Sequence, residues 1–501
     1  MRLQEPTETS FGRRSTEFAQ SRPDEIDLVI VRRDGSEVGM AWGVLESRAN
    51  QIARMLEGLG VTQDSVVALA LPTCVEHVYA SLAAWKLGAV VAPLRHDLPQ
   101  WEMDRLVDAA GPAVLVSDVH AAPGPVVGRQ ALAATTSLPD HALPDRVATH
   151  VSLLPSGGST GTPKLILHPS RGVVDDNPMA AALSADAGVE ERTLVNSPLY
   201  HGPGFQFVAP RILEGKRVFV MERFDAALAA RVIEEKQITY TLMVPTMLQR
   251  IAQLDDVGPA NFASLRRLVY GGASIPEWVV DRWLELVPPH VFWFSYGSSE
   301  HIGLCMMTGE EWADHRGSTG RPVGMEVSIR DEAGNEVPAG TIGEIHQRPP
   351  DGQRTFEYVG APTPEPTADG YYTIGDLGWV DADGYVYIAD RRKDLIITGG
   401  ANVYPAEVET ALSEHPAVGD QVVVGVPDPE WGRRVHAIVE PADPNHPPAV
   451  DDLRTWCKAR LAAYKVPKTY EVVPKLERTD AGKVNRTRLS ATRSDVGFGA
   501  S

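Results

Sequence analysis

Cysteine is nearly absent. The chain holds three in 501 residues, Cys74, Cys305 and Cys457; they lie far apart and form no C-x-x-C pair, which excludes a disulfide framework and a cysteine zinc site. Long apolar runs are missing too: none approaches the ~18 residues of a membrane span, and the opening MRLQEPTETSFGRRS has no hydrophobic stretch to act as a secretion signal. A cytoplasmic protein without membrane insertion is the expectation. Positive charge is also short. Lys plus Arg number 47 against 66 Asp plus Glu, a formal charge of −19, which argues against nucleic acid or an anionic membrane surface as partner. Lysine is the scarcer base, with ten residues, and six of them (Lys393, Lys458, Lys465, Lys468, Lys475, Lys483) fall after residue 392. That last stretch has 14 basic and 15 acidic residues, so the body before it carries nearly all the negative excess. A near-neutral, lysine-bearing end beside an acidic body can serve an anionic ligand held between them; a solvated charged face is the plainer alternative.

Hydrophobic residues make up 43% and charged residues 23%, ordinary values for a folded protein, and the length suggests roughly three domain-sized units. Leu45, Ala49, Ile52, Leu56 and Leu59 recur at alternating steps of four and three, one stripe of an amphipathic helix, with Gly60 as a stop. SVVALALP then reads as a buried strand, and VEHVYASLAAWKLG and AVVAPL repeat the helix and strand. A second pass runs through RVFVM, AALAARVIEEK, YTLMVP and RRLVYGG. Strands alternating with helices imply an α/β fold with a parallel sheet covered on both faces. After about residue 320 the pattern changes to short strands and tight turns, with Asp383-Gly384 between two alternating runs as a hairpin signal. The fragment Asp381-Ala382-Asp383-Gly384 lacks the other ligands of a calcium loop. A last α+β unit begins near Arg391, with Pro405 in the first turn of a helix.

Residues 156–164, SGGSTGTPK, place many small residues ahead of one lysine. Such a loop can cradle phosphate through backbone N–H groups, or it can be a flexible surface loop. Gly157-Gly158-Ser159-Thr160-Gly161 also satisfies G-x-S-x-G, but both a nucleophile elbow and a Walker loop need a helix directly after the turn. HVSLLP before and LILH after are strand-like instead, and Pro163 opposes a helix starting at Ser159.

Five segments stand in a telling order: SGGSTGTPK, then YGSSE (296–300), GDLGWVDADGYVYIADRRKD (375–394), IITGGANVYPAEVE (396–409) and RTDAGKVNR (478–486). Over nearly its full length the chain resembles the acyl-CoA synthetase branch of the adenylate-forming enzymes. The resemblance implies a large N-terminal domain of two layered α/β units plus a β-rich subdomain, and a small mobile α+β C-terminal domain. Its division would be 1–390 for the adenylate-forming body, 391–393 for the hinge, 394–490 for the mobile domain and 491–501 for a disordered tail. It implies a two-step reaction, in which a carboxylate attacks the α-phosphorus of Mg·ATP to give an acyl-adenylate and pyrophosphate, and the thiol of coenzyme A then displaces AMP.

The same resemblance assigns roles. Ser156, Gly157, Gly158, Ser159, Thr160, Gly161, Thr162 and Lys164 would hold the β- and γ-phosphates, and Glu300 the Mg2+, a hard oxygen donor for a hard cation. Gly271, Gly272 and Ala273 would flank adenine, with Tyr296 stacked on the base and Gly297, Ser298 and Ser299 completing that segment. Asp376 would accept the ribose hydroxyls and Arg391 would be a second nucleoside contact. Lys483 would be the catalytic lysine bridging carboxylate and phosphate. Lys393 falls at the hinge, and Gly399 and Gly400 would line the pantetheine channel of CoA. NSPLYHGPGFQF from Asn196 would line the acyl pocket, with His201 near the carboxylate and Gly202, Gly204, Phe205, Gly272 and Gly303 shaping it. The combination is most like ligases for bulky hydrophobic acids of the steroid or terpenoid type. Delivery to a carrier protein, a luciferase-like oxygenase, a serine hydrolase using Ser159 and a non-catalytic nucleotide binder are the alternatives.

Overall fold

In the computed structural model the described residues are 8–155, 164–174, 190–350, 352–391, 394–398, 401–479 and 482–493. Ser156 to Thr162, Lys393, Gly399, Gly400 and residues 494–501 lie outside them, and so does the side chain of Arg391.

The helical stripe read from the sequence becomes the helix Trp42–Gly58. Leu45, Ala49, Ile52 and Leu56 are fully buried, whereas Leu59, past the helix end, is exposed, and Gly60 turns the chain at φ +97°. The helix packs with Val75–Lys86 against a parallel sheet ordered Val90–Pro93, Val66–Ala70, Val114–Ser117, Val126–Val127. This is the first layered unit.

The second is a nine-stranded sheet. Its order is Arg321–Val323, Leu304–Thr308, Phe292–Gly297, Arg267–Tyr270, Tyr240–Met243, Arg192–Val195, Arg217–Met221, Ile26–Val31 and Glu37–Ala41. The central strands are parallel and the edges antiparallel. Side chains alternate between its faces. Met243, Leu268, Tyr270 and Phe292 meet the helices Ala226–Glu235, Pro245–Ala252 and Glu277–Leu286. On the other face Tyr240 and Leu242 meet Phe207 of the helix Gly202–Leu213.

The β-rich part is a four-stranded antiparallel sheet, Glu326–Arg330, Gly343–Arg348, Tyr372–Val380, Val386–Arg391. Gly384 takes φ +84° in its hairpin, and the Asp381 carboxylate accepts the backbone N–H groups of Asp383 and Tyr385. Those bonds make Asp381 a turn residue. The C-terminal domain wraps the helices Pro405–Ser413 and Val450–Arg460 around a five-stranded sheet centred on the hairpin Val418–Asp428 and Gly432–Pro441. A helix the sequence reading passed over, Arg486–Ala491, follows Lys483. Asn485 caps it, and Arg486 anchors it through two hydrogen bonds to Glu409 at 2.6 and 2.9 Å.

Candidate active site

Two strands deliver the acidic groups. Phe292–Gly297 ends in the turn Ser298–His301, where the His301 N–H bonds to the Ser298 carbonyl and His301 sits at φ +53°. This turn carries Glu300, which is buried. Tyr358, on the strand Glu357–Val359, donates its hydroxyl to Glu300 Oε1 at 2.7 Å. That strand pairs antiparallel with Leu165–Leu167, so Lys164 arrives beside it, its ammonium 3.8 Å from the centre of the Tyr358 ring. Tyr358 was not singled out from the sequence. Burial first, and then the adjacent Glu300 charge, push its phenol pKa up, so it remains a donor.

Asp376 is buried on Tyr372–Val380 and accepts the Tyr296 hydroxyl at 2.7 Å. Gln347 donates to the same hydroxyl oxygen at 3.2 Å. Arg391 stands opposite Asp376 in the neighbouring strand. Tyr296 and Asp376 are therefore brought together. Gly271 follows the strand Arg267–Tyr270, and a Cβ there would lie 2.6 Å from Ser295 Oγ; Gly272 holds φ +92°, and with Ala273 it is exposed. The pair of glycines lets the chain turn away above Ser295.

His201 caps the helix Gly202–Leu213, and its Nδ1 is buried without a hydrogen-bond partner. Burial, then the positive charges of Lys483 and Arg95, lower its pKa to about 3, so the imidazole is neutral. Lys483 thus acts electrostatically on a residue 282 positions earlier in the chain. It is exposed at the end of a turn in which Thr479 N–H bonds to the Lys483 carbonyl (2.8 Å) and Lys483 N–H to Thr479 Oγ1 (3.1 Å). Arg478 braces the turn, donating to the Gly482 carbonyl and, at 2.6 and 2.7 Å, to both oxygens of Asp420. Gly482, at φ +73°, abuts the start of the helix Pro245–Ala252; a Cβ there would be 2.5 Å from Thr246 Oγ1. Gln249 of that helix donates to the Gly419 carbonyl at 3.2 Å, a second contact across the domains.

The residues expected to shape the acyl pocket have varied placements. Phe205 is buried against Trp85, with ring centroids 5.6 Å apart. A Cβ on Gly204 would lie 2.1 Å from the Pro198 carbonyl oxygen, and one on Gly303 would lie 2.5 Å from Met325. Here smallness serves close packing. Gly202 is less confined, with nothing nearer than 3.9 Å to its Cβ position. A cavity of about 130 Å³ lies along this helix, bordered by Trp85, Phe205, Gln206 and the stacked rings of His168 and His301, 4.1 Å apart. His168 Nε2 bonds to the Ser299 carbonyl at 2.7 Å, fixing the turn before Glu300.

Two buried histidines make acid stability measurable. His201 (pKa about 3) and His77 (about 4), both lowered chiefly by burial from an ordinary 6.5, bind fewer protons folded than unfolded. Their contribution is whole above about pH 6.5 and is lost as pH falls toward 4. The thermal midpoint should drop between pH 7 and pH 5, and His201→Asn should make that slope shallower by up to ~1.4 kcal/mol per pH unit. An unchanged slope would show that His201 is not neutral in the fold.

The chain belongs to the AMP-binding enzyme family: its model matches residues 16–353, and that of the AMP-binding enzyme C-terminal domain matches 407–483. A feruloyl-CoA synthase from Amycolatopsis sp is 34% identical over 469 residues, covering 91% of this chain and 94% of the relative. The fatty acid–[acyl-carrier-protein] ligase ScoC of Streptomyces coeruleorubidus is 33% identical over 481 residues, 90% of this chain and 91% of its own. Among solved structures, the o-succinylbenzoate CoA synthetase of Bacillus subtilis with its acyl-adenylate intermediate superposes with a TM-score of 0.80 at 25% identity, covering 97% of this chain and 98% of that one. The chain is an enzyme of the AMP-forming acid–thiol ligase class. No helix among the described residues is long and apolar enough to cross a membrane.

Proposed function

We propose that the protein activates a hydrophobic carboxylic acid as its adenylate and passes the acyl group to coenzyme A, with Lys483 as the catalytic lysine. The observation that supports this reading is the lysine turn set against Thr246 of the N-terminal domain, with the Lys483 charge felt at His201: from there the ammonium could bridge a carboxylate and an α-phosphate. One carboxylate oxygen attacks the α-phosphorus and pyrophosphate leaves. The Lys483 ammonium offsets the repulsion between the two anions, and neutral His201 can hydrogen-bond the carboxylate without adding charge. Glu300, a buried carboxylate, suits Mg2+, which takes one or two protein oxygens and completes its shell with phosphates and water. The metal would neutralise the departing pyrophosphate. Lys164 would contact its phosphates, and Asp376 the ribose.

The thiol of CoA then attacks the acyl carbonyl and AMP leaves. This step needs the lysine turn to withdraw, with rotation at Lys393. The small contact of Gly482 with Thr246 favours such release. For the acid, the relatives carry feruloyl, fatty acyl and succinylbenzoyl in their names, and Gly204 and Gly303 are closed off by packing. Both points favour a slender aryl or aliphatic acid over the bulky polycyclic one expected from the motifs.

The test is pyrophosphate release from Mg·ATP with a panel of aryl, fatty and steroidal acids, with CoA, with a carrier protein and with neither. Acid-dependent release plus an acyl-CoA product is expected. Thioester formed only on the carrier protein would replace the acceptor, and release with no acid at all would remove the ligase reading.

A further inference from the structure

Glu300 presents its two oxygens unequally. The residue is 8% exposed. Its Oε1 accepts the Tyr358 hydroxyl at 2.7 Å, the one hydrogen bond its side chain makes among the described residues, so Oε2 is the oxygen left for another partner. A phenol brings a single proton, and here it keeps it: burial and then the Glu300 charge push the Tyr358 pKa well above its ordinary value. The bond therefore persists across the neutral range.

Both partners are held from behind. Thr355 Oγ1 donates to the Glu300 carbonyl at 3.0 Å, and the His168 ring bonds to the Ser299 carbonyl at 2.7 Å, so the turn is pinned at two successive residues. Tyr358 stands opposite Ile166 in the antiparallel pair of Glu357–Val359 with Leu165–Leu167. Its N–H bonds to Thr363 Oγ1 at 2.8 Å, and its ring packs on Phe356 with centroids 5.2 Å apart. Phe356 is in turn buried with Ile166 and Ile302. The hydroxyl thus reaches the carboxylate from a strand tied into the core, and it fixes which way the carboxylate turns.

We propose that Tyr358 is a positioning residue that makes Glu300 a one-oxygen metal ligand and thereby sets a preference for Mg2+ over Ca2+ at the nucleotide site. This rests on the reading of Glu300 as the metal's carboxylate. Mg2+ demands near-ideal octahedral geometry at about 2.0–2.1 Å and is served best by a single oxygen already aimed. Ca2+ takes about six to eight oxygens at about 2.3–2.6 Å, tolerates irregular shells and accepts both oxygens of one carboxylate. With Oε1 engaged by the phenol, the two-oxygen mode is disfavoured and Oε2 is ready for the smaller ion. Tyr358→Phe would free the carboxylate to turn, which takes from Mg2+ its aimed oxygen and offers Ca2+ a second one. A side chain that orients a metal ligand is commonly worth roughly 10–100-fold in metal affinity.

The experiment measures ATP binding to the full chain by calorimetry, with no acid present, in Mg2+, in Ca2+ and in EDTA, for wild type, Tyr358→Phe and Glu300→Gln. Wild type should bind ATP more tightly in Mg2+ than in Ca2+. Tyr358→Phe should weaken binding in Mg2+ by roughly 10-fold or more and leave binding in Ca2+ unchanged or tighter. Binding in EDTA should not change, because the ring that Lys164 faces is kept. A lower melting temperature with an unaltered Mg2+-to-Ca2+ ratio would make the hydroxyl a mere partner for a buried carboxylate, and equal weakening in both metals would make it a general support; either overturns the proposal. ATP binding by wild type that no metal strengthens, or that Glu300→Gln leaves equally metal-dependent, would refute Glu300 as the metal's carboxylate and the inference with it. Selectivity that Tyr358→Phe removes, in a protein that releases no pyrophosphate with any acid, would keep the inference and sink the ligase reading alone.

Discussion

Lys483→Ala is expected to slow acyl-adenylate formation by ~10²–10³ while changing thioester formation from a preformed adenylate only a few-fold. The asymmetry follows from geometry. The lysine turn abuts Thr246 of the N-terminal domain and its charge is felt by His201, and in the proposed reaction the ammonium would assist only while two anions must be brought together. Removing the ammonium should also let the His201 pKa rise, since Lys483 is the second cause of its depression after burial. Single-turnover pyrophosphate release, followed by CoA added to synthetic adenylate, separates the two steps. Equal losses in both would make Lys483 a structural residue.

Lys86→Met should lower the stability of the large domain by about 3–5 kcal/mol. Lys86 lies 2.8 Å from Glu46, and both side chains are nearly inaccessible, at 3% and 10% exposure. Ser15, Thr16 and Asn50 also donate to the carboxylate, and Lys86 reaches Thr16 Oγ1 at 3.1 Å. Burial works against the ionised carboxyl, yet the lysine and its hydroxyl donors more than offset it and hold the pKa below the ordinary carboxylate value. Methionine keeps the volume and strands the charge. Glu46→Leu added to Lys86→Met should restore much of the lost stability, as read from the unfolding transition of the domain. A single variant as stable as wild type would show that water reaches Glu46 and screens it.

The sequence was most legible where a signal, or a candidate residue, sits in a short run. Glu300, Asp376 and Lys483 each close or occupy a compact motif, and the helix stripe from Leu45 to Leu56 is a local periodicity that burial reproduces. Partners far apart in the chain left no such signal. Asp420 supports the lysine turn through Arg478 across 58 residues, and Tyr358 meets Glu300 from 58 residues downstream. Nothing in their immediate neighbours marks either. Small residues misdirect in another way. Glycine leaves space only if nothing fills it, and at Gly204 and Gly303 a carbonyl oxygen and a methionine do.

Tyr358 touches opposite charges with different parts of one ring, its face to Lys164 and its hydroxyl to Glu300. The phenol works as an insulator: one neutral ring carries a cation on its π-face and an anion at its hydroxyl, so both charges are held by the same side chain without having to meet each other.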